Sequence, residues 1–174
     1  LLHCLAVASA WAQDKVKTDS LPELRLSTAQ GPAFPLGKAA ERWAALINEP
    51  AGRAFDVKVF PGATLAGRDA AREFGTLKDG PADLAVGSAL AWSAQFPAAG
   101  VYALPWLAPE PFQQEALVAS AALLDLVVKR AATADIVVLA VAAAGDRVLA
   151  TIKAPVRTPA DASGLRLRVP GVAL

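Results

Sequence analysis

The residues best suited to chemistry in this sequence are arginines in strand-like stretches. In GLRLRVP, Gly164 to Pro170, the two-residue period of an extended chain puts Leu165, Leu167 and Val169 on one face and Arg166 and Arg168 on the other. Such a pair is either the solvated basic face of an edge strand or an anion site. Periodicity leaves both readings open and makes the two arginines equivalent. Arg147, directly after AAAGD, is ambiguous in the same way, because Asp146 beside it can neutralise it in a surface pair of little energetic weight.

Other chemistries lack their residues. The single histidine, His3, lies in an apolar leader, which leaves no imidazole for a metal site or a Ser-His-Asp constellation in the rest of the chain. No Gly-x-x-x-x-Gly-Lys loop and no Gly-x-Gly-x-x-Gly after a strand occurs, so nucleotide binding is not expected and no cofactor is implied. Glu73, Asp79 and Asp83 are near one another in sequence, but they fall at helix and strand ends, where a carboxylate is ordinarily solvated or capping.

The elements that must position these arginines read as alternating strands and helices. LRLSTA from Leu24 alternates like a strand, and the loop GPAFP follows it. Leu36, Ala39, Ala40, Trp43 and Ile47 recur at helical spacing until Pro50 and Gly52 stop the run. FDVKVF is a second strand, PGATLAG a turn, and RDAAREFGTLKDG a helix with Ala70, Phe74 and Leu77 on one face. ADLAVGSA is a third strand. Crossovers of these lengths imply a parallel sheet covered on both sides.

Beyond a stretch rich in Pro and aromatic residues, Phe112 to Thr133 is expected to be helical with a break near Ser120, and DIVVLAVAAA to be a buried strand. In TPADASG, Thr158 suits an N-cap, Pro159 the first helical position, Asp161 the capping box and Gly164 the stop, with LRLRV as a strand after it. Trp92, Tyr102 and Trp106 are expected to pack in the core rather than stack on a ligand.

With 174 residues and 55% hydrophobic content the chain can bury a core, and 17 basic against 16 acidic residues give no field that would hold nucleic acid. The sequence contains no methionine, so its reading frame is expected to begin upstream. The opening LLHCLAVASAWAQD is an apolar run ending in Ala10, Trp11, Ala12, which suits the remnant of a secretory signal over residues 1–12 and is too short to span a membrane. Cys4 would leave with that segment. Its lipidation is the alternative, disfavoured because His3 stands where a lipoprotein signal needs a small residue.

The order of these pieces resembles the solute-binding subunits of tripartite ATP-independent periplasmic (TRAP) transporters, of the dicarboxylate-binding type. The resemblance is carried by LRLSTAQGPAFPLGKAAERWAALI, VKVFPGATLAGRDAAREFGTLKDGPADLAVGSA, FPAAGVYALPWL and IKAPVRTPADASGLRLRVPG, between Leu24 and Gly171. Most specific is Thr-Pro-x-Asp-x-x-Gly-Leu-x-x-Arg-Val-Pro at Thr158 to Pro170.

The resemblance implies an α/β, periplasmic-binding-protein-like (class II-type) bilobal fold. Residues 22–143 would form the first lobe and residues 144–174 the start of an incomplete second. It implies that Arg168 holds the carboxylate of a small organic acid through the planar fork of its guanidinium, that Arg147 adds positive charge, and that Gln30, Ser88 and Trp92 line the cleft. Some relatives carry an acidic residue at the position of Ser88, and a serine there fits a smaller, simpler acid.

The implied partners are the acid and membrane permease subunits, with the protein a periplasmic monomer. Two rival expectations are an enzyme on a similar scaffold, for which Ser88 is the one candidate nucleophile, and a truncated remnant that binds nothing.

Overall fold

The computed structural model describes residues 21–145, 148–152 and 154–168. The leader with His3 and Cys4, the pair Asp146 and Arg147, and the residues from Val169 onward lie outside the described residues. Three parallel strands form one sheet in the order β2-β1-β3: β1 is Glu23–Thr28, β2 is Asp56–Phe60 and β3 is Leu84–Val86. Leu26 of β1 is opposite Val59 of β2 and Leu84 of β3, so the central strand is paired along both edges.

Alternation along β1 sends its residues to two different cores. Leu24 and Leu26 face helix α1, Pro35–Asn48, together with Val57, Val59, Leu84 and Val86. The face of α1 against them is Gly37, Ala40 and Ala44, flanked by half-buried Trp43 and Ile47. Ala39, expected in this stripe, is exposed, because a small buried glycine at 37 brings the helix down on a neighbouring row of side chains. Asn48 closes the helix onto the outer strand, its amide donating to the carbonyl of Val57 and accepting from the Val57 N–H, both at 2.8 Å.

The other face of the sheet is covered by α2, Glu73–Asp79, so the expected coverage of both sides is present. This helix is shorter than RDAAREFGTLKDG suggested. Asp69 accepts the amide of Ala71 and caps a 3-10 turn at Ala70–Arg72, and only then does α2 begin. Its buried residues are Glu73, Phe74 and Thr76, whereas Ala70 and Leu77 are only half-buried. Arg25 ties β1 to the approach of β3: its backbone N–H donates to Asp83 at 2.8 Å, and its guanidinium reaches both Asp83 and the carbonyl of Gly80. The Arg25 amide and guanidinium together hold the Asp83 carboxyl below its ordinary range.

After β3 come α3, Ala89–Trp92, a 3-10 segment Pro97–Ala103, α4, Pro111–Val118, and α5, Ala121–Ala132. Ser120 breaks the last two as expected, accepting the amide of Leu123 as an N-cap. Phe74, Phe96, Ala99, Val127 and Ala131 form the second core, with Phe74 and Phe96 stacked at 4.6 Å.

The predicted strands at 135–144 and 165–169 are not formed among the described residues. Ile136 and Val138 lean on the second core, but Val137 and Leu139 are exposed and no strand of the described residues lies alongside to receive the backbone hydrogen bonds. Leu165 and Leu167 are exposed, as Arg166 and Arg168 are, for the same reason. An apolar run becomes a strand only when another strand satisfies its amides.

Leu26 is fully buried at the centre of the sheet. Leu26→Ala is expected to lower unfolding stability by about 2–5 kcal/mol, measured by denaturant titration; a loss below about 1 kcal/mol would contradict a packed first core.

Candidate functional site

All three strands run in the same direction, so their carboxyl ends open at one rim of the sheet. From β1 the chain passes to β2 on one side and returns to β3 on the other, and this reversal of order is where open α/β sheets leave a crevice. Thr28 is paired with Val86. Two residues further on, Gln30 and Ser88 therefore leave adjacent strands at the same level of that rim. Both predicted site residues therefore follow strand ends on one rim of the sheet.

A glycine permits a close approach beside each of them. At Gly37 of α1 a Cβ would overlap the carbonyl of Gly31 and lie 2.8 Å from that of Gln30, so only glycine lets the helix seat the loop after β1. At Gly87 a Cβ would overlap the indole of Trp92, whose ring folds back over the β3–α3 turn. Ser88 occupies the N-cap position of α3 with extended backbone, yet its side chain makes no capping bond, and it is half-buried. Gln30 is exposed.

Trp92 is committed to the protein. Its Nε1–H donates to Glu73 Oε2 at 3.1 Å, and its ring is tilted on Phe74 at 5.7 Å. The other carboxylate oxygen, Oε1, accepts from Ser27 Oγ at 2.9 Å. Glu73, expected to be a solvated or capping carboxylate, is instead fully buried, and burial pushes its pKa above the ordinary value of 4.5 against the two hydrogen bonds. Tyr102 also packs on the second core, as expected, whereas Trp106 is 88% exposed and the packing reading fails for it. Trp106 follows Pro105 in a turn with a left-handed φ of 58°, which points it away from both cores.

A shallow pocket of about 280 Å³ opens at the ends of β1 and β2 between Gly31, Pro61, Gly62, Thr64 and Arg68. Arg68 was not singled out from the sequence. It stands one residue beyond PGATLAG, where left-handed backbone at both Gly67 and Arg68 turns it to this rim. A larger cavity of about 370 Å³ lies beside α2 near Arg72, Gly75, Thr76 and Gln95 and contains none of the predicted site residues.

Arg168 and Arg166 are both exposed, and among the described residues neither guanidinium has a hydrogen-bond or ion-pair partner. The turn that precedes them is built as predicted. Asp161 accepts from the amides of Arg157 and Thr158 and from the Thr158 hydroxyl, at 2.8 to 3.0 Å, which holds its carboxyl below the ordinary range. Pro159–Ala162 then forms a single 3-10 turn, and Gly164 with φ 74° ends it. Arg147 lies outside the described residues.

Residues 26–174 match the model of the DctP family, bacterial extracellular solute-binding protein family 7. The chain belongs to this family. A crystal structure of a TRAP periplasmic solute-binding protein from Ralstonia eutropha H16, with bound (S)-2-acetolactate, is similar in fold, with a TM-score of 0.57 and 33% identity. The match covers 62% of this chain and 35% of that one, so the chain spans about a third of its length. The parallel sheet with helices on both faces is accordingly part of a periplasmic-binding-protein fold. Family and neighbour are solute-binding proteins of transport, not enzymes. A comparison with curated proteins gave no match.

Glycine to alanine inside a helix ordinarily stabilises by up to about 1 kcal/mol. Gly37→Ala is expected to do the reverse, costing about 1–3 kcal/mol in denaturant unfolding because backbone must move. Gly52→Ala, with open space around it, is the control expected to be neutral or slightly stabilising.

Proposed function

We propose that this chain is the solute-capturing component of a TRAP transporter, taking a small organic acid in the periplasm as a monomer and presenting it to membrane permease subunits. The observation that supports this most directly is the family match from Leu26 onward, which includes the Thr-Pro-x-Asp-x-x-Gly-Leu-x-x-Arg-Val-Pro pattern. The bound ligand of the similar Ralstonia protein is a compact 2-hydroxy acid with a neighbouring keto group. Ser88, a short neutral donor where a longer acidic side chain would intrude, is compatible with a solute of that size.

In this reading Arg168 clamps the carboxylate by its guanidinium fork, each charge-assisted bond contributing about 1.5–3 kcal/mol, and Arg147 adds a second positive charge. Gln30 and Ser88 supply hydrogen bonds from the rim of the first lobe. Trp92 shapes the wall behind them and does not stack on the solute with a free ring edge, since its N–H is held by Glu73.

Residues 22–143 would be the first lobe, and residues 144–174 the opening of the second. The exposed apolar side chains Val148, Leu149 and Ile152, which have no sheet partner among the described residues, accord with a segment that packs on further structure. Closure of two lobes over the acid would bring Arg168 to the rim that carries Gln30 and Ser88. Residues 1–12 would be the remnant of the export signal.

Isothermal titration of a version carrying a whole second lobe with a panel of small carboxylic acids, 2-acetolactate and other 2-hydroxy acids among them, tests the reading. Arg168→Lys is expected to weaken binding at least tenfold and Arg166→Lys to leave it within about twofold. Absence of heat and of thermal shift with every acid would overturn the assignment, and equal effects of the two substitutions would overturn the role of Arg168.

A further inference from the structure

Glu73 is a fully buried carboxyl group with no ion-pair partner among the described residues. It joins elements that are distant in sequence: Ser27 at the middle of the sheet and Trp92 at the end of α3. The indole it holds is the same ring that lies over Gly87, directly before Ser88. We infer that Glu73 is a positioning residue of the solute site, fixing the β3–α3 turn that carries Ser88 against the end of β1 through the indole of Trp92. The relevance to solute capture rests on the function proposed above. The bridge itself does not.

Charged groups on the surrounding elements are turned elsewhere. On β1, Arg25 is engaged with Asp83 and Gly80. Before α2, Asp69 caps its own turn and Arg72 is exposed; at the far end of the helix Lys78 and Asp79 are exposed. Asp83, ahead of β3, faces Arg25, and α3 carries no charged residue. The phenol of Tyr102, on the following 3-10 segment, is raised by burial and stays neutral. Only the two hydrogen bonds from Ser27 and Trp92 and the start of α2 favour the anion here, and burial outweighs the two bonds.

A neutral acid fits the two partners without an orphan. The indole can only donate, so Oε2 accepts from it, while the serine hydroxyl can either give or take a proton at Oε1. Burial favours the protonated form of Glu73, and the positioning of the turn is linked to that proton. The sign follows from linkage. The unfolded chain releases the proton near 4.5 and the folded chain at higher pH, so the stabilisation is complete below 4.5 and is lost as pH rises through the raised folded value.

The test is a ¹H–¹⁵N correlation spectrum of the whole chain followed over pH, with the Trp92 indole resonance assigned through Trp92→Phe. In the native protein that indole proton is expected to exchange at least tenfold more slowly than that of exposed Trp106. Its shift, and the amide shifts of Gly87 and Ser88, should titrate together with a midpoint above 4.5. Glu73→Gln retains a donor and an acceptor, and should keep the slow exchange while abolishing the titration; Glu73→Ala should lose the protection. If Glu73→Ala does not fold, the glutamine variant decides alone. An unprotected Trp92 indole in the native protein, or a titration that survives in Glu73→Gln, overturns the inference. These readouts need no solute, so failure of acid binding and failure of the bridge are seen separately.

Discussion

The structure depends on β1 being the central strand of the parallel sheet. Leu26, Ser27 and Thr28 are each fully buried, which requires cover on both faces and backbone partners on both edges at once. Hydrogen bonds from β2 and β3 supply the edges, α1 one face and α2 the other. Because the register at Thr28 is shared with β3, and that at Ser27 with β2, the loops that leave the three strands emerge at fixed relative heights. A slip of one residue would exchange Leu26 for Ser27 against α1, replacing apolar contact by a hydroxyl, so the position of the rim is enforced by the core beneath it.

The polar side of β1 is the costlier one to bury, and its solution shapes the site. Ser27 cannot face apolar cover unpaired, and the side chain that meets it is Glu73, which then needs a donor of its own. Trp92 supplies it, and its indole lies where a side chain at Gly87 would stand. A requirement of the sheet interior is in this way passed outward, through one carboxyl and one ring, to the turn that presents Ser88.

Much of this was legible in the sequence where the determining contacts are local. The first three strands, α1, the break at Ser120 and the Thr158–Asp161 turn follow from alternation, from capping side chains and from Gly and Pro, all of which act within a few residues. Glu73 was misread because its burial is decided by Ser27 and Trp92, 46 and 19 residues away, which no spacing reveals. DIVVLAVAAA, and LRLRV over its described residues 165–168, are not strands for a related reason. Their composition favours strand, but pairing is a property of two segments, and the described residues contain no second one for either. Ser88 and Gln30 were placed by family resemblance. Only the register explains why residues so far apart belong to one rim.

The arginines illustrate the same division between local and distant causes. As the structure stands, Arg166 and Arg168 have similar surroundings: both are exposed and neither has a partner among the described residues. What distinguishes them is their distance from a rigid element. The Asp161 carboxylate gathers three donors into a tight turn that ends at Gly164, and this gives the stretch that follows a defined starting direction. Were that stretch to pair as a strand, alternation would set both arginines on one side of it, about 6.6 Å apart by strand rise. In the reading proposed above, the place where further elements meet the rim that β1 has fixed would decide which arginine reaches a solute.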